Sequence, residues 1–228
     1  MLITIEKALD AERVRALRRL LEQAGESWVD GRVSAGYQGA PVKHNQQIDE
    51  ASEVAAQGQG LILQALERHP RFISAVLPNE VYPPMFNRYG EGMNFGAHVD
   101  GSVRIHPYTG RKLRTDVSAT LFLSEPAEYD GGELEVMDQY GTHSVKLAAG
   151  DMVVYPATSL HRVTPVTRGL RLASFFWVQS LVRDDAQRAM MFELDTAIQR
   201  LNQTGADEEA RRSLIGVYHN LMRQWTDT

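Results

Sequence analysis

At 228 residues the chain has room for one large domain, or for one domain with an appendage. Its 43% hydrophobic and 23% charged residues are the balance of a globular protein with a substantial core, and a net charge of −5 argues against broad nucleic-acid or membrane binding. The absence of cysteine excludes disulfides, thiolate metal sites and cysteine nucleophiles.

Residues 1–7 carry no signal-peptide pattern, and no apolar run is long enough to cross a bilayer, so a cytoplasmic location is expected. Asp10 stands as an N-cap before Val14, Leu17, Leu20 and Leu21, a helical stripe that ends near Gly25. A second helix is predicted over 49–68, with Ile48 ahead of its cap and Pro70 beyond its end. From residue 72 the texture changes to short β-rich runs at 117–123, 134–137, 145–147, 152–155 and 170–178. Turn signals at Asp130-Gly131-Gly132 and Ala149-Gly150-Asp151 separate them. Many short strands at regular spacing predict a barrel or sandwich and not a parallel sheet. After Arg183 two helices are predicted, one with a Met190, Leu194, Ile198 and Leu201 stripe. The other carries Leu214, Val217, Tyr218, Leu221 and Trp225, and Asp207 is placed to cap it. The expected division is 1–71 as a strand and helical support region, 72–180 as the core and 181–228 as a helical appendage used for packing or self-association.

The chemistry-bearing pattern lies in the β-rich part: His98-Val99-Asp100, then His161, then Arg171. Ligands at i and i+2 on a strand leave the same face, and two imidazoles with one carboxylate bound facially leave half of an octahedral iron(II) shell open. Arg171 falls in an otherwise apolar strand, sharing a side with Ala173, Phe175 and Trp177, while Leu170, Leu172, Ser174 and Phe176 take the other. Such a strand is buried on both faces, and a buried guanidinium needs an anion. One reading is a structural pair with a core carboxylate. The other follows from charge: two neutral histidines, one aspartate, a divalent ion and Arg171 leave two positive charges, which a bound dicarboxylate cancels.

These residues carry a family resemblance. Residues 98–100, the run Thr120-Leu121-Phe122-Leu123 leading to 129–134, the segment 155–161, Arg171, and 176–180 entering the tail together resemble the Fe(II)/2-oxoglutarate-dependent dioxygenases of prolyl 4-hydroxylase type. More narrowly, the chain resembles the bacterial PKHD-type hydroxylases linked to iron-uptake genes. The resemblance implies a double-stranded β-helix (jelly-roll) core, in an α+β chain with N-terminal helices and a C-terminal helical appendage. It also implies oxidative decarboxylation of 2-oxoglutarate to succinate and CO2, coupled to hydroxylation. His98, Asp100 and His161 would bind Fe(2+), and Arg171 would pair with the distal carboxylate of 2-oxoglutarate. Tyr89 matches a tyrosine that in relatives donates to the same carboxylate. Phe95 stands where some relatives have a second tyrosine, so no polar role passes to it. Ala173 replaces a hydroxyl residue often found two positions after the arginine, which leaves Tyr89 as the second donor.

No catalytic side chain beyond the iron site is implied. O2 would be the oxidant, and L-ascorbate (vitamin C) a supporting reductant without a recognisable pocket. The expected partners are a small-molecule substrate in preference to a protein, and a second copy of the chain in a homo-oligomer; no nucleic acid and no membrane is expected. Residues 101–113, with Arg104, His106, Arg111 and Lys112, are expected to form either a substrate-contacting lid or a solvated loop. Residues 41–47 could line the mouth, whereas His69, His143 and His219 are read as non-catalytic, and Trp28, Trp177 and Trp225 as core or interface residues. The alternative to an enzyme is a non-catalytic metal-binding β-barrel acting as an iron sensor or interaction module. It would need the triad without Arg171.

Overall fold

The computed structural model describes residues 1–37, 39–205 and 207–227. Two antiparallel sheets form its centre. The larger runs in the order Ile3–Ile5, Met152–Pro156, Val117–Phe122, Arg171–Ser180, Met85–Tyr89, Gln46–Ile48, Trp28–Asp30, with Pro78–Val81 also paired to the far half of Arg171–Ser180. The smaller runs Gly141–Val145, Leu134–Asp138, Leu160–Val163, Asn94–His98, Lys43–His44. Strands from the support region thus enter both sheets, which composition alone did not separate from the helical part around them.

Strand alternation then sorts the side chains. On the long strand Arg171–Ser180, Leu172, Phe176 and Val178 point to the helices, where they join Leu17, Ile62, Phe72 and Phe86 in the main core. Fully burying a side chain such as Phe176 contributes roughly 1.5–3 kcal/mol. The opposite face of the larger sheet brings Tyr89, Phe122, Val153 and Tyr155 against Leu134, Val136 and Val163 of the smaller one. This strand is buried on both faces, as its composition predicts.

Three helices cover the outer face of the larger sheet. Helix α1, Ala11–Glu22, starts where Asp10 accepts from the Arg13 N–H, and buries Val14, Leu17 and Leu21. Helix α2, Glu53–Leu66, is capped by Ser52 and not by Asp49. Asp49 is held in a turn, its N–H donating to the Ser27 carbonyl at 2.8 Å beside the strand pair Trp28–Asp30 and Gln46–Ile48. A β-carbon at Gly58 would fall 2.5 Å from the Phe86 ring, so glycine there lets α2 lie close on the sheet. Pro70 does not simply follow that helix; it begins a short third one, α3, Pro70–Val76, whose cap is the His69 ring.

The C-terminal pair is α4, Asp185–Thr204, and α5, Glu208–Trp225. Asp207 caps α5, as its position predicts. The buried stripe of α4 contains Ile198, as predicted, but takes Met191 in place of Met190, which is exposed. Leu77, Val182 and Met191 form a small core with Tyr218, Leu221 and Trp225, and Val217 faces outward. The strand expected at 145–147 lies instead at Gly141–Val145, an edge strand. Among the described residues no helix is long and apolar enough to cross a membrane.

Candidate active site

The triad forms where the two sheets meet. His98 ends the strand Asn94–His98 and pairs directly with His161 on Leu160–Val163. Asp100 lies two residues past the strand end, so irregular backbone and not pleat alternation aims its carboxylate. The chain reaches His161 by leaving the larger sheet at Pro156 and entering the smaller one at Leu160. His98 Nε2 is 3.9 Å from Asp100 Oδ1, and His161 Nε2 is 3.8 Å from Asp100 Oδ2. One ligand atom from each residue lies within 4.8 Å of the others, so a single ion can touch all three.

The surroundings orient these donors. His98 Nδ1 lies 2.8 Å from the Gly96 carbonyl and His161 Nδ1 3.0 Å from that of Ser159. A carbonyl only accepts, so both Nδ1 atoms carry the proton and both Nε2 lone pairs face the metal position. Burial, with His161 beside it, holds the His98 pKa down to about 4, which keeps the imidazole neutral near pH 7 and fit to ligate. Ser118 Oγ donates to Asp100 Oδ2 at 2.6 Å, fixing the carboxylate. Phe95 stacks on the His98 ring at 3.6 Å between centroids. A neutral N,N donor pair with one carboxylate oxygen suits Fe(II).

Arg171 is 1% exposed and sits opposite Tyr89 in the strand register. Its Cζ lies 5.3 Å from the centroids of both Tyr89 and Phe122. Among the described residues it makes no ion pair, and its Nε and Nη1 have no hydrogen-bond partner. The structural-pair reading of this arginine therefore lacks its carboxylate. Burial raises the Tyr89 pKa, partly offset by Arg171, so its phenol keeps its proton to donate. Triad, Tyr89 and Arg171 all line one cavity of about 350 Å³, walled also by Thr120, Leu134, Tyr155 and Val163.

Several residues here escaped sequence reasoning. Ser118 and Phe95 serve the ligands. Tyr129 buries a hydroxyl without a partner, close enough for the Arg171 charge to offset part of the burial that raises its pKa. The roles of Ser118 and Tyr129 depend on which strands lie together, for which a single sequence carries no signal, whereas Phe95, expected only to lack a polar role, stacks on His98 of its own strand. Trp177, read as core or interface, lines the cavity. The three histidines set aside stay apart from it: His69 caps α3, His143 meets Asp138 on an exposed hairpin at 2.9 Å, and His219 lies on α5.

Residues 84–179 match the profile of the 2OG-Fe(II) oxygenase superfamily, and residues 185–227 that of the PKHD-type hydroxylase C-terminal domain. Over the full length of both chains, this one is 74% identical to a PKHD-type hydroxylase of Cupriavidus pinatubonensis. The chain belongs to the PKHD-type hydroxylases. A second member, from Caulobacter vibrioides, is 54% identical, again over both full lengths. Among solved structures, a Pseudomonas putida prolyl-4-hydroxylase shares 25% identity with a TM-score of 0.53, covering 78% of this chain and 92% of that one. A Trichoplax adhaerens prolyl hydroxylase, at 14% identity and a TM-score of 0.56 over 83% of this chain and 86% of that one, shows the same fold. This PKHD-type hydroxylase is accordingly a 2-oxoglutarate-dependent dioxygenase with a jelly-roll core, using Fe(II), 2-oxoglutarate and O2.

Proposed function

We propose that His98, Asp100 and His161 hold the Fe(II), and that Arg171, with Tyr89 beside it, receives the distal carboxylate of 2-oxoglutarate. The observation that carries this reading is Arg171 itself: a buried guanidinium, with two nitrogens unpartnered, in the same cavity as the triad. Bound there, Fe(II) supplies the oxidative decarboxylation and the hydroxylating power. The chain supplies position and dryness. Ser118 holds the Asp100 carboxylate, and the Gly96 and Ser159 carbonyls hold the two imidazole protons away from the metal face. Phe95 blocks rotation of the His98 ring. Leu134, Val163 and Tyr155 keep bulk water from the cavity floor, which strengthens the Arg171–carboxylate pair. A metal sensor that binds no oxo-acid would need the triad but not Arg171, which tells against that alternative.

The matched profiles support a division at residues 180–184 between jelly-roll and helical tail. Hydroxylation of a small molecule linked to iron uptake, cytoplasmic action and ascorbate as reductant belong to the same proposal and rest on the family resemblance. Self-association through α4 and α5 is supported by the exposed Met190 and Val217.

Anaerobic titration with Fe(II) and 2-oxoglutarate tests the site. The expected result is the weak visible charge-transfer band of a keto acid chelating iron. Asp100→Ala should lose iron, and Arg171→Ala should weaken 2-oxoglutarate binding far more than iron binding. Absence of the band refutes the oxygenase site, and equal losses of both ligands in Arg171→Ala make that residue structural.

A further inference from the structure

The cavity holds a second buried cation. Lys43, on the strand Lys43–His44 that edges the smaller sheet, is 6% exposed and lines the same space as the triad. Its Nζ lies 5.1 Å from the Phe95 centroid and 5.7 Å from that of Phe175, and donates to Ser34 Oγ at 3.1 Å. Among the described residues it makes no ion pair. Because Lys43 can only donate, Ser34 accepts from it and offers its own proton to Gln47 Oε1 or to the Gly31 carbonyl 3.2 Å away. Gln47 Nε2 is buried without a partner, in a side chain 1% exposed that lines the cavity.

Above this pair, the hairpin of Val103–Ile105 and Lys112–Arg114 carries Arg104 over the cavity. The Arg104 guanidinium stacks on Trp177 at 4.6 Å and Tyr82 at 5.1 Å. Its charge is balanced by Glu50, 4.0 Å away, which also accepts from the Tyr82 hydroxyl at 3.0 Å. The surplus on this side is therefore one positive charge, that of Lys43, beside one unpaired amide donor. Two donors and a single surplus charge match a carboxylate better than a dianionic phosphate.

Resting on the oxygenase reading above, the geometry points to a substrate subsite in which Lys43 Nζ and Gln47 Nε2 bind a carboxylate on the molecule to be hydroxylated, while Phe175 and Trp177 hold its apolar body. Arg171 serves the co-substrate and Lys43 the substrate. The pairing explains why a buried ammonium with no acid faces an aromatic wall within an iron site: the acid arrives with the ligand.

The test uses the full chain under anaerobic conditions, saturated with Fe(II) and 2-oxoglutarate so that Arg171 is occupied. 3-Phenylpropionate and 3-phenylpropanamide, equal in shape and different in charge, are titrated in turn. Binding is read by isothermal titration calorimetry, and the charge-transfer band reports whether 2-oxoglutarate stays. The acid should bind at least 10-fold tighter than the amide with the band retained. Lys43→Met should reduce that ratio to near one with the band intact, and Gln47→Leu should reduce it in part. Equal binding of acid and amide, binding of neither, displacement of 2-oxoglutarate by the acid, or a preference that survives in Lys43→Met each overturns the subsite. A missing band in the unmodified protein refutes the oxygenase reading instead, so the two failures are distinguishable.

Discussion

Replacing Lys43 by Met should make the metal-free protein more stable at neutral pH, and the gain should vanish in alkali. Burial is the largest influence on this lysine and brings its pKa down from 10.5 to about 8; Arg104 pushes the same way, while Asp100, Glu50 and Asp30 pull it back. The sign follows from linkage. Below pH 8 both folded and unfolded chains carry the charge, and the folded state bears the full cost of burying it. Between about 8 and 10.5 the unfolded chain holds the proton that the folded one has released, so stability rises with pH. Above that window both forms are neutral and the cost is gone. At 1.36 kcal/mol per pH unit the cost is ~3 kcal/mol. Met removes it together with the Ser34 hydrogen bond and the contacts to Phe95 and Phe175, worth about 1 kcal/mol each at most. A net gain of ~1–2 kcal/mol at pH 7 is expected; the ~3 kcal/mol released across the window cancels it near pH 9 and leaves Lys43→Met the less stable form by pH 10.5. Urea unfolding of both proteins in chelator across pH 7–10.5 measures it, and the titration of all other groups cancels in the difference. A stability gap that does not change with pH, or a less stable Lys43→Met at pH 7, refutes the idea that this ammonium is held at a cost.

The remaining predictions concern the ligands. Ser118→Ala should lower Fe(II) affinity ~10–100-fold, because the Asp100 carboxylate loses the donor that orients it, and equilibrium dialysis against Fe(II) reads this directly. Tyr89→Phe should raise the 2-oxoglutarate dissociation constant by ~10–100-fold while leaving Fe(II) affinity unchanged, since a hydrogen bond to a charged group contributes about 1.5–3 kcal/mol. An unaltered constant would remove Tyr89 from the carboxylate site and shift attention to Tyr129.

The four strongest residues of the site were legible because their signals are local or compositional. His98 and Asp100 stand two apart, His161 follows a break between two strands, and Arg171 is a charge in an apolar run. Their partners were not, because Ser118 and Tyr129 act from other strands, and Phe95 stacks on His98 of its own strand against simple alternation. Register is a property of two segments at once. Other misses have equally specific causes. Met190 and Met191 are adjacent and identical, so periodicity cannot choose between their phases. Gly141–Val145 is an exposed edge strand whose Thr142, His143 and Ser144 give no alternation to detect. At the start of α2, Asp49 and Ser52 are equally good caps by composition, and the preceding strand pair decides for Ser52.

The two cations of the cavity differ in a way that suits their separate tasks. An arginine side chain keeps its proton wherever a protein folds, and its planar fork matches a carboxylate. Placed at the buried end, beside Tyr89 and Phe122, it gives a permanent charge for a co-substrate that every reaction cycle requires. Lysine loses its proton more readily when desolvated. Beneath the Arg104 hairpin, burial lowers the Lys43 pKa to about 8, so the subsite stays charged at neutral pH and loses its charge only in mild alkali. A second buried arginine would carry its desolvation cost at all times and would compete with Arg171 for 2-oxoglutarate, which has a carboxylate at each end. Lysine with a carboxamide partner offers weaker, point-like recognition. That difference in strength keeps the oxo-acid in its own pocket and leaves the aromatic side of the cavity to the substrate.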